Sequence, residues 1–193
     1  MRSAWPISAL ICLVGVACSS SHEQRKAAPP IPPDAATTIR ELDFSRSDAI
    51  EQLNNLVRSG PSVVHTLAPL LNEKDTTRRR AAVYVAALAT RAPAEVQILE
   101  KALHDSDPAI RVMAAGSIAG NGVVRGLSVL IRALEAAGYL PFSDPPQRIA
   151  SFSAYALNLL TGQKFASSRE GRAWLAKTRG HLHWSGHSYV VTP

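Results

Sequence analysis

Cysteine is nearly missing from this chain of 193 residues: Cys12 and Cys18 are the only two, and both lie close to the first residue. The body therefore carries no disulfide framework and no thiolate metal site. Aromatic residues make up 6%, and much of the 46% hydrophobic content is alanine, so the core has to come from small side chains on closely approaching helices. No nucleophile elbow, glycine-rich phosphate loop, zinc-protease helix motif or paired-cysteine knuckle is present. Each of these chemistries requires a local spacing that would be visible, so the corresponding enzyme classes are set aside. The main apolar run, residues 7–17, is too short to cross a bilayer as a mature helix. A mean hydropathy of +0.01 fits an ordinary folded soluble body.

What is present is repetition. Asp75/Arg79, Asp107/Arg111 and Asp144/Arg148 place an arginine four residues after an aspartate, each ahead of a helix-like run of small apolar residues. The stripes Val64/Leu67/Leu71, Val96/Leu99/Leu103 and Val124/Leu127/Ile131 recur at the same apolar spacing. A period of roughly thirty residues made of helix pairs predicts an all-α chain, an α-solenoid of about four stacked pairs. Helices are expected over 47–58 with Ser47 as N-cap, and then from Val63 to Leu71. The next pairs are 76–91 with 94–104, and 108–119 with 123–136; a last one runs from Pro145 to Arg179, interrupted at Thr161-Gly162. Asp75, Asp107 and Asp144 sit where an N-cap oxygen would take up free amide protons, with Pro108 and Pro145 at the following position. The arginines, one turn in, are in reach of an aspartate of their own or a neighbouring repeat, so these six residues are read as stabilising the repeats.

The first residues carry an address. Residues 7–17 have the length of a signal-peptide apolar segment, and Leu13-Val14-Gly15-Val16-Ala17-Cys18 resembles the lipobox of bacterial lipoproteins, with Gly15 in place of the usual bulky aliphatic residue. The resemblance implies a signal peptide over 1–17, cleavage before Cys18, and lipidation of the Cys18 thiol. Ser19 after the cysteine is similar to the pattern that sorts to the outer membrane, facing the periplasm. Residues 18–43, centred on Pro29-Pro30-Ile31-Pro32-Pro33, read as a flexible linker, residues 44–180 as the repeat domain, and residues 181–193 as a His-rich tail. The net charge of +6 falls to +5 when Arg2 leaves with the signal. Export separates such a protein from nucleic acid, so an acidic protein surface, acidic lipid or cell-wall polymer is the expected counterpart.

Asp107-Pro108-x-x-Arg111-x-x-Ala114-Ala115 resembles the short HEAT-like repeats of bacterial proteins; Asp75-x-x-x-Arg79-x-x-Ala82 repeats much of it, and Asp144-Pro145-x-x-Arg148 keeps only the opening. The resemblance covers residues 45–160 and implies a scaffold that binds other macromolecules. The segment from Leu159 to Phe165 followed by Trp174 looks like an ending found in that class, with Phe165 and Trp174 closing the apolar face. Some HEAT-like enzymes use His-Glu pairs for iron; the pair here, His22-Glu23, lies in the linker.

Three places could recognise something. Offsets of one and eight residues from the first valine of each stripe fall at about 100° and 80° around the helix axis, away from the stripe. They give the rows His65/Gln97/Arg125 and Asn72/His104/Arg132. The insertion carrying Tyr139 and Phe142 either offers anchors to a partner or packs on the last repeat. His181, His183 and His187 could hold zinc or copper, or belong to a basic end that docks through Trp184 or Tyr189. The expectation is a non-enzymatic lipoprotein adaptor that needs no cofactor, its partner a protein with an acidic surface. A metal-binding envelope protein and a charge-based wall-binding protein stand as alternatives.

Overall fold

A computed structural model describes residues 34–90 and 93–192. The signal segment, Cys18, the proline cluster and His22-Glu23 lie outside the described residues. Those described are mostly helical: α1 (Ala35–Glu41), α2 (Ala49–Arg58), α3 (Val64–Leu67), α4 (Thr76–Ala89), α5 (Pro93–Ala102), α6 (Pro108–Gly120), α7 (Arg125–Arg132), α8 (Ile149–Thr161) and α9 (Ser168–Thr178). Two short strands, β1 (Leu182–Trp184) and β2 (Tyr189–Val191), follow. Among the described residues no helix is long and apolar enough to cross a membrane.

Helices α2, α4, α6 and α8 pack each on the next, while α3 lies on α5 and α7 on α9. Between these rows α3 touches α4, α5 touches both α4 and α6, and α7 touches both α6 and α8. Helix α6 sits in the middle, and Ala109, Ile110, Val112 to Ala115, Ile118 and Ala119 are all buried, as a helix surrounded by others requires. Alanines make this possible: Ala81, Ala82, Ala86, Ala114, Ala115 and Ala119 are each fully buried. Val64, Leu67, Val96, Leu99, Leu103, Leu127 and Ile131 fill the space between the rows. The tightest approach is at Gly126, where an added Cβ would stand 2.5 Å from the Ala115 carbonyl oxygen and 2.7 Å from the Ala119 nitrogen.

Local chemistry sets the helix starts. Asp75 accepts from the Thr77 and Arg78 amides, and Asp107 from those of Ala109 and Ile110. Arg79 and Arg111 then make the same backward hold: one nitrogen of Arg79 donates to the Glu73 and Lys74 carbonyls at 2.8 and 3.0 Å, and one of Arg111 to those of Asp105 and Ser106 at 2.7 and 2.8 Å. Arg79 also grips the Asp105 carboxylate through two nitrogens, at 2.9 and 3.2 Å, and Arg80 reaches Asp107 at 2.6 Å. Arg40 closes the series on Glu73 at 2.7 Å.

The Arg79–Asp105 pair is mostly shielded from solvent, each side chain 11% exposed. Burial pushes the Asp105 carboxyl up, but hydrogen bonds from Arg79 and the Asp107 amide outweigh it and hold the group below its ordinary value of 3.8. A carboxyl depressed in the folded state contributes stability that is present above that value and is lost as the pH falls through the folded-state one. Asp105→Asn is expected to cost about 2 kcal/mol at neutral pH. In urea titrations its deficit against the parent should shrink below pH 4, and a pH-independent deficit would contradict the ion-pair account.

Several expectations are corrected. The linker does not extend to Asp43: Asp34 caps α1 through the Ala36 amide, and Ala35, Ala36 and Ile39 form a buried stripe against α3 and α4. Ser47 is not the cap of α2; Asp48 precedes it, with its carboxylate turned to Arg46 and Gln52. Pro69 stops α3 at Leu67, and the chain goes on as a 3-10 turn, Ala68–Asn72. Helix α7 ends at Arg132 and tightens likewise over Ala133–Glu135.

The third Asp/Arg pair does not open a helix. Pro145 is followed by Pro146, which disfavours helical backbone at Pro145, and α8 begins only at Ile149 after an extended Arg148 with no side-chain cap. Asp144 thus stays in a loop across a cis peptide to Pro145, and Arg148 stacks on Tyr139, 5.9 Å from the ring centroid.

The C-terminal residues are not a loose end. β1 and β2 form an antiparallel pair with His183 opposite Val190 and Trp184 opposite Tyr189. Tyr189 is buried, its hydroxyl donating to the Ala119 carbonyl at 3.1 Å, and Trp184 lies against Gly122. Burial pushes the Tyr189 phenol well above its ordinary range.

Candidate interaction surfaces and an apolar cavity

The flank opposite the buried stripe is open. His65, Asn72, Gln97, His104, Arg125 and Arg132 are all exposed on the segments that bury Val64, Leu67, Val96, Leu99, Leu127 and Ile131. Arg125 is not a bare cation: it lies 3.3 Å from Glu100 of α5, with the arginine side chain 62% exposed. Arg132 has no ion-pair partner among the described residues.

The positive charge continues onto α9, which the sequence reading did not single out. Arg169, Arg172 and Lys177 are exposed on it, with Lys164 just before and Arg179 just after, against Glu170 as the one acid in that stretch. Gly171 lets α9 settle on α7, since its added Cβ would meet Ile131 at 2.9 Å. The signal in the sequence is Arg169, Arg172 and Lys177 set around the apolar Trp174-Leu175 within one helical segment.

The two insertion aromatics separate. Phe142 packs on Phe44 and Tyr84, with ring centroids 5.9 and 5.4 Å apart, and Tyr139 is 53% exposed. Phe165 and Trp174 meet at 5.4 Å and rest half-buried on the core. The three tail histidines do not converge. His181 and His183 alternate with the inward-facing Leu182 and Trp184, and His187 lies in the turn between the strands. Among the described residues no group of three or more His, Cys, Asp or Glu side chains could hold a metal ion.

A cavity of about 460 Å³ lies under the insertion. Its floor is Tyr84, Ala87 and Leu88 on one face of α4, Met113 of α6 and Phe152 of α8, and its roof is residues 140–147. The loop that roofs it runs through Pro145 and Pro146 and precedes the start of α8 at Ile149. The roof is braced by its own bonds: Ser143 Oγ donates to the Leu140 carbonyl and accepts from the Gln147 amide, both at 3.0 Å, and the Leu140 amide donates to the Gln147 carbonyl at 2.8 Å. Phe142, at the bend, has φ 59, a conformation a bulky residue rarely adopts.

Searches against protein-family models, curated proteins and solved structures return no match to this chain.

Proposed function

We propose that this chain is a bacterial envelope lipoprotein, anchored through Cys18 in the outer membrane and facing the periplasm, that acts as a non-enzymatic protein-interaction adaptor. Its helix pairs are read as a short HEAT-like α-solenoid. The consecutive packing of α2, α4, α6 and α8 supports that reading, together with the identical holds made by Arg79 and Arg111 thirty-two residues apart.

The observation that carries the adaptor function is the open flank of α3, α5 and α7. Segments that bury most of their apolar stripe leave His65, Gln97, His104, Arg125 and Arg132 in solvent, and the exposed cations in and beside α9 extend the same sign of charge. A positive, shallow surface of this kind selects an acidic partner chiefly through association rate and register.

Arg125→Glu combined with Arg132→Glu is expected to reduce capture of the acidic partner from envelope extract by about tenfold at low salt, and to flatten its salt dependence. Unchanged partners, eluting at unchanged salt, would refute the adaptor surface.

A further inference from the structure

We propose that the cavity beneath the insertion is a binding site for a small amphiphilic cation, an alkyl or aryl amine with its hydrocarbon part on α4, α6 and α8 and its ammonium at Asp144. This goes beyond the adaptor surface, which is built from α3, α5, α7 and α9.

Three features lead there. The cavity, at about 460 Å³, has the size of small-molecule sites, which run from roughly 300 to 1,000 Å³. Its walls are pre-set: the roof is fixed by the Ser143 and Leu140 bonds, and Phe142 is wedged against Phe44 and Tyr84. A ligand entering it does not have to order the loop first, which lowers the cost of binding.

The third feature is polarity. Tyr84 Oη donates its proton to Asn54 at 2.9 Å and Ser143 Oγ donates its own to the Leu140 carbonyl, so neither hydroxyl has a proton left to give an anionic or neutral acceptor in the cavity. Asp144 is the one ionisable carboxylate in the lining; it is exposed and makes no hydrogen bond or ion pair among the described residues, and no lysine or arginine lines the cavity. An apolar floor with a single negative charge at its edge favours a hydrophobic cation over a neutral molecule of the same shape, and disfavours the corresponding anion.

The test uses the full chain and three probes with the same hydrocarbon: octylamine, octanol and octanoate. The chain has two methionines, Met1 and Met113, so a methyl-labelled sample gives one reporter inside the cavity. Octylamine is expected to shift the Met113 methyl resonance saturably and to bind about tenfold more tightly than octanoate, attraction and repulsion at Asp144 each contributing about threefold. Asp144→Asn, in an exposed loop, should leave the fold intact and bring the two affinities within about twofold of each other. Ala87→Leu, checked for folding by its circular dichroism spectrum, should abolish the shift with every probe. No saturable shift of Met113, equal binding of amine and octanol by the parent chain, or an amine preference that survives Asp144→Asn would each overturn the proposal.

Discussion

Gly126→Val is expected to lower the thermal unfolding midpoint by roughly 10 °C. A side chain there has no space to occupy: its first carbon would already stand 2.5 Å from the Ala115 carbonyl oxygen, 2.7 Å from the Ala119 nitrogen and 2.9 Å from the Ala119 methyl. Two of the three obstacles are backbone of a helix buried on every side, so α7 must lift off α6 as a body. That movement would open the contacts of Leu127 and Ile131 beyond it, and a cost of about 3 kcal/mol follows. Gly180→Val is the matched control, since nothing lies within 4 Å of its added Cβ. Equal midpoints for the two variants would mean that α6 and α7 do not meet at Gly126.

Ala115→Arg attacks the same junction by charge. Ala115 is fully buried at the centre of α6, between helices α4, α5, α7 and α8. No carboxylate lies among the buried residues of α6 or α7 to receive the guanidinium, so the variant combines overpacking with an unpaired buried charge. A loss of about 3 kcal/mol or more is expected, read as a fall in the urea midpoint. The same substitution at Ala154, exposed on α8, should change the unfolding free energy by no more than about 0.5 kcal/mol. Similar behaviour of the two variants would contradict the burial of α6.

What could be read from the residues alone follows from how local each determinant is. Asp75 and Asp107 cap their helices because the acceptor and the free amides lie within three residues, and nothing between them objects. Asp144 carries the same letters but fails, since the second of two prolines denies helical backbone to the first. Ala35, Ala36 and Ile39 were lost in a stretch whose composition spoke for a linker, with a single large apolar residue to mark the buried stripe. The C-terminal pair of strands depends on Tyr189 finding the Ala119 carbonyl seventy residues away, which no neighbouring residue announces. The cavity is still less local, since its walls come from α4, α6, α8 and an irregular loop.

The backward and forward grips of Arg79 define a spacing that an insertion of one period would preserve. A second copy of residues 73–104 spliced in after His104 would bring Glu73 to the place where Arg79 now meets Asp105, twenty-six residues on, and would offer the copy's own arginine to Asp105 in turn. Every charge along that edge would still be matched. One period later the register runs out: twenty-six residues beyond Arg111 stands Ala137, and Arg111 has no carboxylate partner among the described residues. The spacing of this ion pair would therefore be kept by a duplication placed before Asp105, and it is not carried on beyond Arg111.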